Sequence, residues 1–430
     1  MSLEKSKLAQ IDFILFFSVL FLVILGAAIV YSASSYEADE TVRAQLLRQA
    51  ESARQAGNIE TADKLLQKAE NIDGTTYYIK KQAAKIAIGF VVMMLFAMVD
   101  YRKWLNFSPA FFLISVFFLL LLFTNFSFVV SKGEASRWLR FAGFTFQPSD
   151  FARYALILLM SRFLIDYKNH VNELRTFLSF LGLVGFVVLL VALETDLGSA
   201  IMIAFISFSI LFLARIRLNY LLATFTTMIT ITLLYLQTKS YMLRRLWDYM
   251  THVGEQGEPS YQIMQSLISF GTGGLFGVGI GNSYQKFDFL PEAYKDMIFS
   301  IIGEELGLIG TIGVLSVFLI IFYRGMMIAK QAPNDHGRLL AGAITMCIVM
   351  YAFMNAAVAL GLIPTTGIPM PFISYGGSAL VSHLGAVGIL LNISSQSASA
   401  YANYPSSREF DSRLNRLPFY GTSKMNRRKR

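Results

Sequence analysis

Long apolar runs recur along this chain and restrict its fold more than any other feature. The runs cover 11–34, 83–99, 107–130, 150–165, 177–193, 197–214, 218–236, 297–323, 339–362 and 378–393. A helix of roughly 18 or more apolar residues crosses ~30 Å of hydrocarbon. Hydrophobic residues make up 55% of the chain and charged residues only 15%, which excludes a set of soluble domains. The sequence therefore predicts an all-α polytopic membrane protein with ten transmembrane helices.

The positions of Lys and Arg predict which side of the membrane each connection faces. With ten spans, both termini share a side, and its short connections include Arg102, Arg162, Arg217 and Arg324. Because cytoplasmic loops carry excess Lys and Arg, we expect both termini in the cytoplasm. The connection 237–296, between helices 7 and 8, is then a large extracytoplasmic loop. The net charge of +9 reflects loops and tail, and no basic, aromatic platform for nucleic acid occurs.

The chain divides into four parts. Residues 1–35 hold the N-terminus and the first span, and residues 79–394 form the membrane core with helices 2–10. Between them, 36–78 contains two helical patterns separated by Gly57-Asn58, which predicts an extracytoplasmic helical hairpin. The hairpin could pack on the core, bind a partner or act as a solvated lid. Residues 395–430 are polar and basic, which predicts a disordered cytoplasmic tail.

Acidic residues at the start of helix 8 form the first candidate site. Glu292 and Asp296 are spaced to share one face of a helical turn, and Glu304 and Glu305 follow inside the apolar sequence. Ionisable groups at that depth usually face a bundle interior or a wet cavity. Two alternatives stay open here: a functional carboxylate site, or carboxylates that only complement the helix dipole.

Two further segments bring charged residues to the same side of the membrane. Arg137, Arg140 and Arg153 offer planar donors that suit phosphate oxygens, although Asp150 is spaced to pair with Arg153. In ETDLGS, Asp196 stands at the start of a span, where it could serve only as a helix cap. Together these segments indicate an outer cavity for an anionic, partly apolar substrate.

Glycine and proline mark two irregular segments. The glycines of 260–287 do not form a dinucleotide fingerprint and instead predict tight turns and close helix approach. Three prolines and three glycines in 362–378 cannot continue a helix, so we expect irregular backbone that lines a cavity or is buried in protein. The four histidines are scattered and predict no metal cage. Carboxylates could still hold Mg²⁺ or Mn²⁺ together with a phosphate-bearing substrate.

Four motifs resemble those of the SEDS family, named for shape, elongation, division and sporulation. They read FQPSDFAR, ETDLGSA, GNSYQKFDFLPEAYKDMIFSIIGEELGLIG and GLIPTTGIPMPFISYGGSAL, in the family's order and spacing. The resemblance covers about 79–394 and implies the family's fold of ten membrane helices. QKF followed by LPEA, and GEELG, are more similar to the cell-division members than to the elongation members.

The resemblance implies a peptidoglycan glycosyltransferase that polymerises lipid II at the outer face of the bacterial cytoplasmic membrane. It also implies a class B penicillin-binding protein as crosslinking partner, other divisome proteins as further partners, and Mg²⁺ or Mn²⁺ as cofactor. Three alternatives stay open: a lipid II flippase, an elongation-type polymerase and a non-catalytic scaffold.

Family motifs also assign roles to individual residues. The family's essential loop aspartate falls on Asp296, which we expect to act as the catalytic base or as a ligand of the cation. Tyr294-Lys295 replaces the usual His-Thr before it, so fine geometry stays open. The candidates for substrate and pyrophosphate binding are Arg137, Arg140, Asp150, Arg153, Lys286 and Glu292. The supporting residues of the cavity are Asp196, Glu304, Glu305 and Asn355.

Overall fold

Helices and one small sheet make up the described part of the chain. The computed structural model describes residues 11–55, 58–70, 74–124, 126, 129–132, 135–141, 144–238, 261–286, 290 and 293–402. Its helices are α1 (Phe13–Gln55), α2 (Ile59–Glu70), α3 (Gly74–Met98), α4 (Tyr101–Asn106), α5 (Ser108–Leu121), α6 (Pro148–Asp166), α7 (Leu174–Leu193), α8 (Leu197–Leu213), α9 (Leu218–Thr238), α10 (Tyr261–Gly273), α11 (Ile298–Gln331), α12 (Asp335–Ala359) and α13 (Gly377–Ala402). The strands are β1 (Val129–Lys132), β2 (Ala135–Phe141) and β3 (Phe144–Phe146).

Each predicted apolar run has a helix in it, which confirms the mainly helical membrane fold. Within the described residues, six helices are long and apolar enough to span a bilayer: α1, α3, α7, α11, α12 and α13. Helices α5 and α8 are apolar but shorter. The protein is therefore a multi-pass membrane protein, and the count of ten spans stays a prediction. Helices α12 and α13 lie at the centre of the bundle, since 72% of each span is buried.

The prediction of an all-α fold is wrong between α5 and α6. Strands β1, β2 and β3 form an antiparallel sheet in that order, with Val129 opposite Leu139 and Leu139 opposite Phe146. The predicted span 107–130 is also too long, because α5 ends at Leu121 and Val129 already lies in a strand. Leu139 is fully buried, and the Phe146 ring meets the Phe118 ring of α5 edge to face, which joins the sheet to the bundle.

Helix α1 continues beyond the predicted first span. Its apolar part ends at Ser34, but the helix runs on to Gln55 without interruption, through the predicted division at 35. Helix α2 returns beside it, and Ala50 and Ala62 are buried between the two. The Asn58 side chain caps α2 by accepting from Thr61 N at 3.3 Å. Helices α1 and α2 thus pack as a hairpin, and its extracytoplasmic position and the bounds 36–78 stay predictions.

Gly307 interrupts helix α11, and a glycine-rich loop supplies hydrogen bonds at the interruption. Gly307 has φ 68° and ψ −165°, a backbone conformation open essentially to glycine alone. The carbonyls of Glu304 and Glu305 accept hydrogen bonds from Val278 N at 2.9 Å and Gly279 N at 3.0 Å. The glycine-rich loop therefore satisfies backbone groups that the break leaves exposed, as membrane depth requires. The predicted tight turns and close approach are confirmed.

Several helix termini meet at one end of the bundle, which we call the site end. Helices α6, α8, α11 and α13 begin there, and α7 and α12 end there. Segment 362–376, between α12 and α13, has no helix or strand, as its prolines and glycines predicted. It packs against α8, because a Cβ on Gly198 would lie 2.4 Å from Thr366 O. At the opposite end, Arg324 Nε donates to Asp12 Oδ2 at 2.9 Å and ties α11 to α1.

Candidate functional site

Asp296 lies at the site end, in the turn that leads into α11. Its backbone carbonyl accepts a hydrogen bond from Asn355 Nδ2 at 2.7 Å, and the same nitrogen donates to Ile368 O at 2.8 Å. A Cβ on Gly367, which has φ +71°, would lie 3.5 Å from Asp296 Oδ2. The fully buried Asn355 thus clamps the Asp296 turn to the irregular segment 362–376. The carboxylate itself is half-buried beside Gly367.

A second contact joins the Asp296 turn to the start of α13. Tyr375 N donates to Tyr294 O at 2.9 Å, and the two rings meet edge to face with centroids 5.5 Å apart. The Lys85 ammonium lies 3.6 Å from the centroid of the Tyr375 ring. Lys295 is near enough to Lys85 to repel its charge. Asp296 is therefore flanked by a cationic, aromatic surface.

That surface is the mouth of a groove of about 920 Å³ between α3, α5, α6, α12 and α13. The polar lining lies toward the site end and includes Lys81, Lys85, Arg140, Tyr375, Ser378 and Ser382. Deeper in the membrane the lining is apolar, formed by Phe96, Phe111, Leu340, Ile344 and Ile389 among others. The groove therefore suits a ligand with an anionic head and an apolar chain.

The sequence predictions missed Lys81, Lys85 and Tyr375. A signal was present, because Lys81 and Lys85 are spaced to share one helical face at the start of a span. Of the predicted cations, Arg140 is the one that lines the groove, where its side chain is exposed.

Asp196 faces the other side of segment 362–376. It caps α8 by accepting from Ser199 N at 3.2 Å, which fits the capping role that its position allowed. Its other oxygen accepts from Gln147 Nε2 at 3.0 Å. Arg137 donates to Thr195 O and lies 3.9 Å from Asp196. Arg137 therefore holds the sheet onto the turn between α7 and α8.

Glu194, in the same turn, is a buried acid that the sequence predictions did not single out. Only 5% of its surface is exposed, and Oε1 is buried without a hydrogen-bond partner among the described residues. Burial and the nearby Asp196 charge raise the pKa of the Glu194 carboxyl to about 9, and Arg137 opposes the shift. Glu194 is therefore protonated at neutral pH.

Asp150 and Arg153 pair with each other inside the bundle. Arg153 Nη2 lies 3.2 Å from Asp150 Oδ1, and Asp150 Oδ2 accepts from Ser378 Oγ at 2.8 Å. The guanidinium also stacks 4.1 Å above the Tyr351 ring and is only 2% exposed. The pair ties α6 to α12 and α13, so its placement favours a structural role. Direct binding of pyrophosphate by Arg153 stays a prediction.

Lys286, Glu304 and Glu305 form a separate buried cluster at the break in α11. Glu304 accepts from Tyr284 N at 2.8 Å. Glu305 accepts from Ser32 Oγ, and Lys286 Nζ donates to Gly281 O and to Ser32 Oγ. These contacts hold the glycine-rich loop against α1 and α11. Their predicted roles at the substrate stay predictions, and Glu292 lies outside the described residues.

The described carboxylates do not gather into a metal cage. Among the residues that the structure describes, no group of three or more His, Cys, Asp or Glu could hold a metal ion. Mg²⁺ often binds through one or two carboxylates together with substrate phosphates. The described donors fit that mode, and Asp296 and Asp150 each belong to a segment that contacts a residue of the groove lining.

Fold and site together define a class: a multi-pass helical membrane protein with a carboxylate-bearing turn beside a groove that is cationic at its mouth and apolar at depth. The FtsW/RodA/SpoVE family of cell cycle proteins matches residues 61–399. This chain belongs to that family.

Curated relatives agree with the family. A "probable peptidoglycan glycosyltransferase FtsW" of Geobacter sulfurreducens is 38% identical over 321 residues, covering 74% of this chain and 86% of the relative. The stage V sporulation protein E of Bacillus subtilis is 32% identical over 390 residues, covering 90% of this chain and 98% of its own length.

Solved structures share the fold. A chain from a peptidoglycan synthase complex superposes with a TM-score of 0.67 at 20% identity, covering 90% of this chain and 98% of its own. The rod shape determining protein RodA of Thermus thermophilus gives a TM-score of 0.61 at 20% identity, covering 92% and 98%. At this identity the likeness concerns the fold alone.

Proposed function

We propose that this protein is a peptidoglycan glycosyltransferase that polymerises lipid II at the outer face of the bacterial cytoplasmic membrane. The Geobacter relative carries the name of that enzyme class. Its FtsW name, together with the QKF, LPEA and GEELG wording, favours septal synthesis during cell division over an elongation role.

One observation carries the proposal: the clamped Asp296 turn contacts Tyr375 at the cationic mouth of an apolar groove. Asn355 fixes its backbone at 2.7 Å, and Tyr375 connects its turn to the groove lining. An isoprenoid chain suits the deep apolar wall. A pyrophosphate suits Lys81, Lys85 and Arg140 at the mouth, because charge-assisted bonds to phosphate oxygens are strong.

The reaction needs one proton acceptor and stabilisation of one leaving group. An acceptor sugar hydroxyl attacks the anomeric carbon of the donor; the new C–O bond forms as the bond to the lipid pyrophosphate breaks. Asp296 accepts the hydroxyl proton, a contribution of typically ~10²–10⁴-fold for general base catalysis. The groove cations stabilise the charge that develops on the departing pyrophosphate.

A divalent cation, Mg²⁺ or Mn²⁺, is part of the proposal. When bound, it would neutralise developing charge on the pyrophosphate. Asp296 would then serve as its protein ligand, which is the alternative to the role of base. Lys295 and the start of α11 favour the ionised carboxylate in either role.

Topology and partners follow the same proposal. The ten-helix arrangement with both termini cytoplasmic puts the site end outside, where α6, α8, α11 and α13 begin. A class B penicillin-binding protein would crosslink the strands made there, alongside other divisome proteins. The chain of 20% identity that shares this fold comes from a peptidoglycan synthase complex, and we propose the same kind of assembly here.

The groove favours polymerisation over lipid II flipping. A flippase must carry the charged head across the membrane, and such pathways contain polar or ionisable groups at depth. Here the deep part of the groove is lined by Phe96, Phe111, Leu340 and Ile344. The head group therefore stays at the site end.

Polymerisation by purified protein tests the proposal. Wild type and Asp296→Asn are each combined with the cognate class B penicillin-binding protein, labelled lipid II and Mg²⁺ or Mn²⁺, and products are separated on a gel. We expect a glycan ladder from wild type and none from the nearly isosteric variant. A ladder from both would remove Asp296 from the chemistry, and lipid II translocation in vesicles without polymer would favour the flippase.

A further inference from the structure

In the segment from α10 to Tyr284, several polar side chains are buried and most of the large exposed side chains are apolar. In α10 the polar side chains of Gln265, Ser266 and Ser269 are buried against α11 and α12. Ser266 Oγ bonds Ser300 Oγ and Ala359 O, which satisfies it inside the protein. Most of the large exposed side chains are apolar: Leu267 43%, Ile268 42%, Leu275 61%, Phe276 79% and Ile280 59%. The exposed polar side chains of Thr272 and Asn282 donate to the backbone carbonyls of Ile268 and Val278. A helix in water shows the opposite pattern.

Composition agrees with that burial pattern. Between Tyr261 and Tyr284 the sequence contains no Asp, Glu, Lys, Arg or His. By contrast, the hairpin of α1 and α2 exposes Arg48, Glu51, Lys64 and other charged residues. The connection 237–296 thus contains a stretch that lacks the charges expected of a water-exposed loop.

Backbone pairing fixes the depth of this stretch. Leu308 N donates to Gly274 O at 2.9 Å, and Ile309 N donates to Leu275 O at 3.2 Å. These residues lie ten and eleven positions into α11, which puts them ~15 Å below its start at 1.5 Å per residue. That is about half of a ~30 Å hydrocarbon layer. Leu308 and Ile309 themselves are exposed on the outside of that span, at 50% and 59%.

We propose that residues 261–284 form a re-entrant hairpin whose apolar face, centred on Leu275, Phe276 and Ile280, contacts the acyl chains of the bilayer. Helix α10 descends from the site end, and the glycine-rich loop turns back at the level of Gly307. The break in α11 provides the hydrogen-bond partners that non-helical backbone needs in hydrocarbon. The predicted extracytoplasmic loop is therefore partly intramembrane, and Asp296 follows the ascending arm of the hairpin.

Spin-label accessibility tests the proposal, because oxygen concentrates in hydrocarbon and a nickel chelate stays in water. The chain has a single cysteine, Cys347, so Cys347→Ala gives a background for labelling. Phe276→Cys is the test site. Ile309→Cys, on a span at the same depth, is the matched membrane control. Ile59→Cys, 66% exposed at the start of α2, is the matched aqueous control.

Full-length protein in phospholipid nanodiscs should separate the three sites. We expect the ratio of oxygen to nickel accessibility at Phe276 to be within about twofold of that at Ile309 and several-fold above that at Ile59. A ratio equal to that at Ile59 would overturn the proposal by placing the loop in water. Low accessibility to both reagents would overturn it too, because protein rather than lipid would then cover the face. If Phe276→Cys fails to fold, Ile280→Cys replaces it.

Discussion

Gly307 is the residue on which the broken helix and its loop depend most directly, so replacing it should destabilise the protein. An alanine Cβ there would lie 2.4 Å from Gly277 N and 2.6 Å from Leu275 O. Both neighbours are backbone atoms and cannot rotate away. The unusual φ and ψ of Gly307 cost a non-glycine residue about 1–3 kcal/mol, and overpacking adds about 1–3 kcal/mol. We expect Gly307→Ala to destabilise the fold by about 2–6 kcal/mol in total.

Gly313 provides the matched control in the same helix. A Cβ at Gly313 would have no atom within 4 Å. Because alanine favours a helix over glycine, Gly313→Ala should be neutral or stabilise by about 0.5–1 kcal/mol. The melting temperatures of both variants and of wild type are measured in detergent, with the loss of monodisperse protein as the signal. If the melting temperature of Gly307→Ala equals that of Gly313→Ala, the loop does not depend on the helix break, contrary to this prediction.

Three further outcomes follow from the site end. Asn355→Ala leaves the carbonyls of Asp296 and Ile368 buried without their hydrogen-bond donor, at a cost of about 1–3 kcal/mol each. The rate of glycan synthesis should fall although Asp296 is still present. An unchanged rate would show that Asn355 does not hold Asp296 in position. Glu194 holds a proton in the folded protein that the unfolded chain releases, so wild-type stability should decline as pH rises from about 4.5 to about 9. Melting curves of Glu194→Gln should lack that decline, and equal slopes would show that Glu194 is ionised. Lys85→Gln should raise the KM for lipid II more than Lys85→Arg does, and equal KM values would exclude Lys85 from head-group binding.

The sequence predicted the helical membrane core well, because long apolar runs have few alternatives at bilayer length. Irregular backbone in 362–376 was predicted from its prolines and glycines, and Asp196 occupies the cap that its position indicated. The spacing of Asp150 and Arg153 allowed a mutual pair, which the structure contains. These were local features, readable from spacing within a turn or two.

Features that depend on contacts between distant segments were missed. The sheet over 129–146 follows an apolar run, so its first strand was taken as the end of a span. The groove combines Lys85 of α3 with Tyr375 before α13, 290 positions apart, and no local spacing relates these two residues. The hairpin at α10 is too short and too rich in glycine to match a span. Its proposed depth follows from backbone hydrogen bonds next to Gly307, in which Leu308 N and Ile309 N donate to Gly274 O and Leu275 O.

Helix α1 connects the hairpin to the membrane core without a break. Its 43 residues form a rod of ~65 Å, of which ~30 Å extends beyond the span that ends at Ser34. A tilt of about 10° at the membrane would move the tip by about 5 Å over that length. Ser32, two residues before the end of that span, is bonded to Glu305 of the broken helix α11. One continuous helix and one hydrogen bond therefore join the hairpin to the helix that begins after the Asp296 turn.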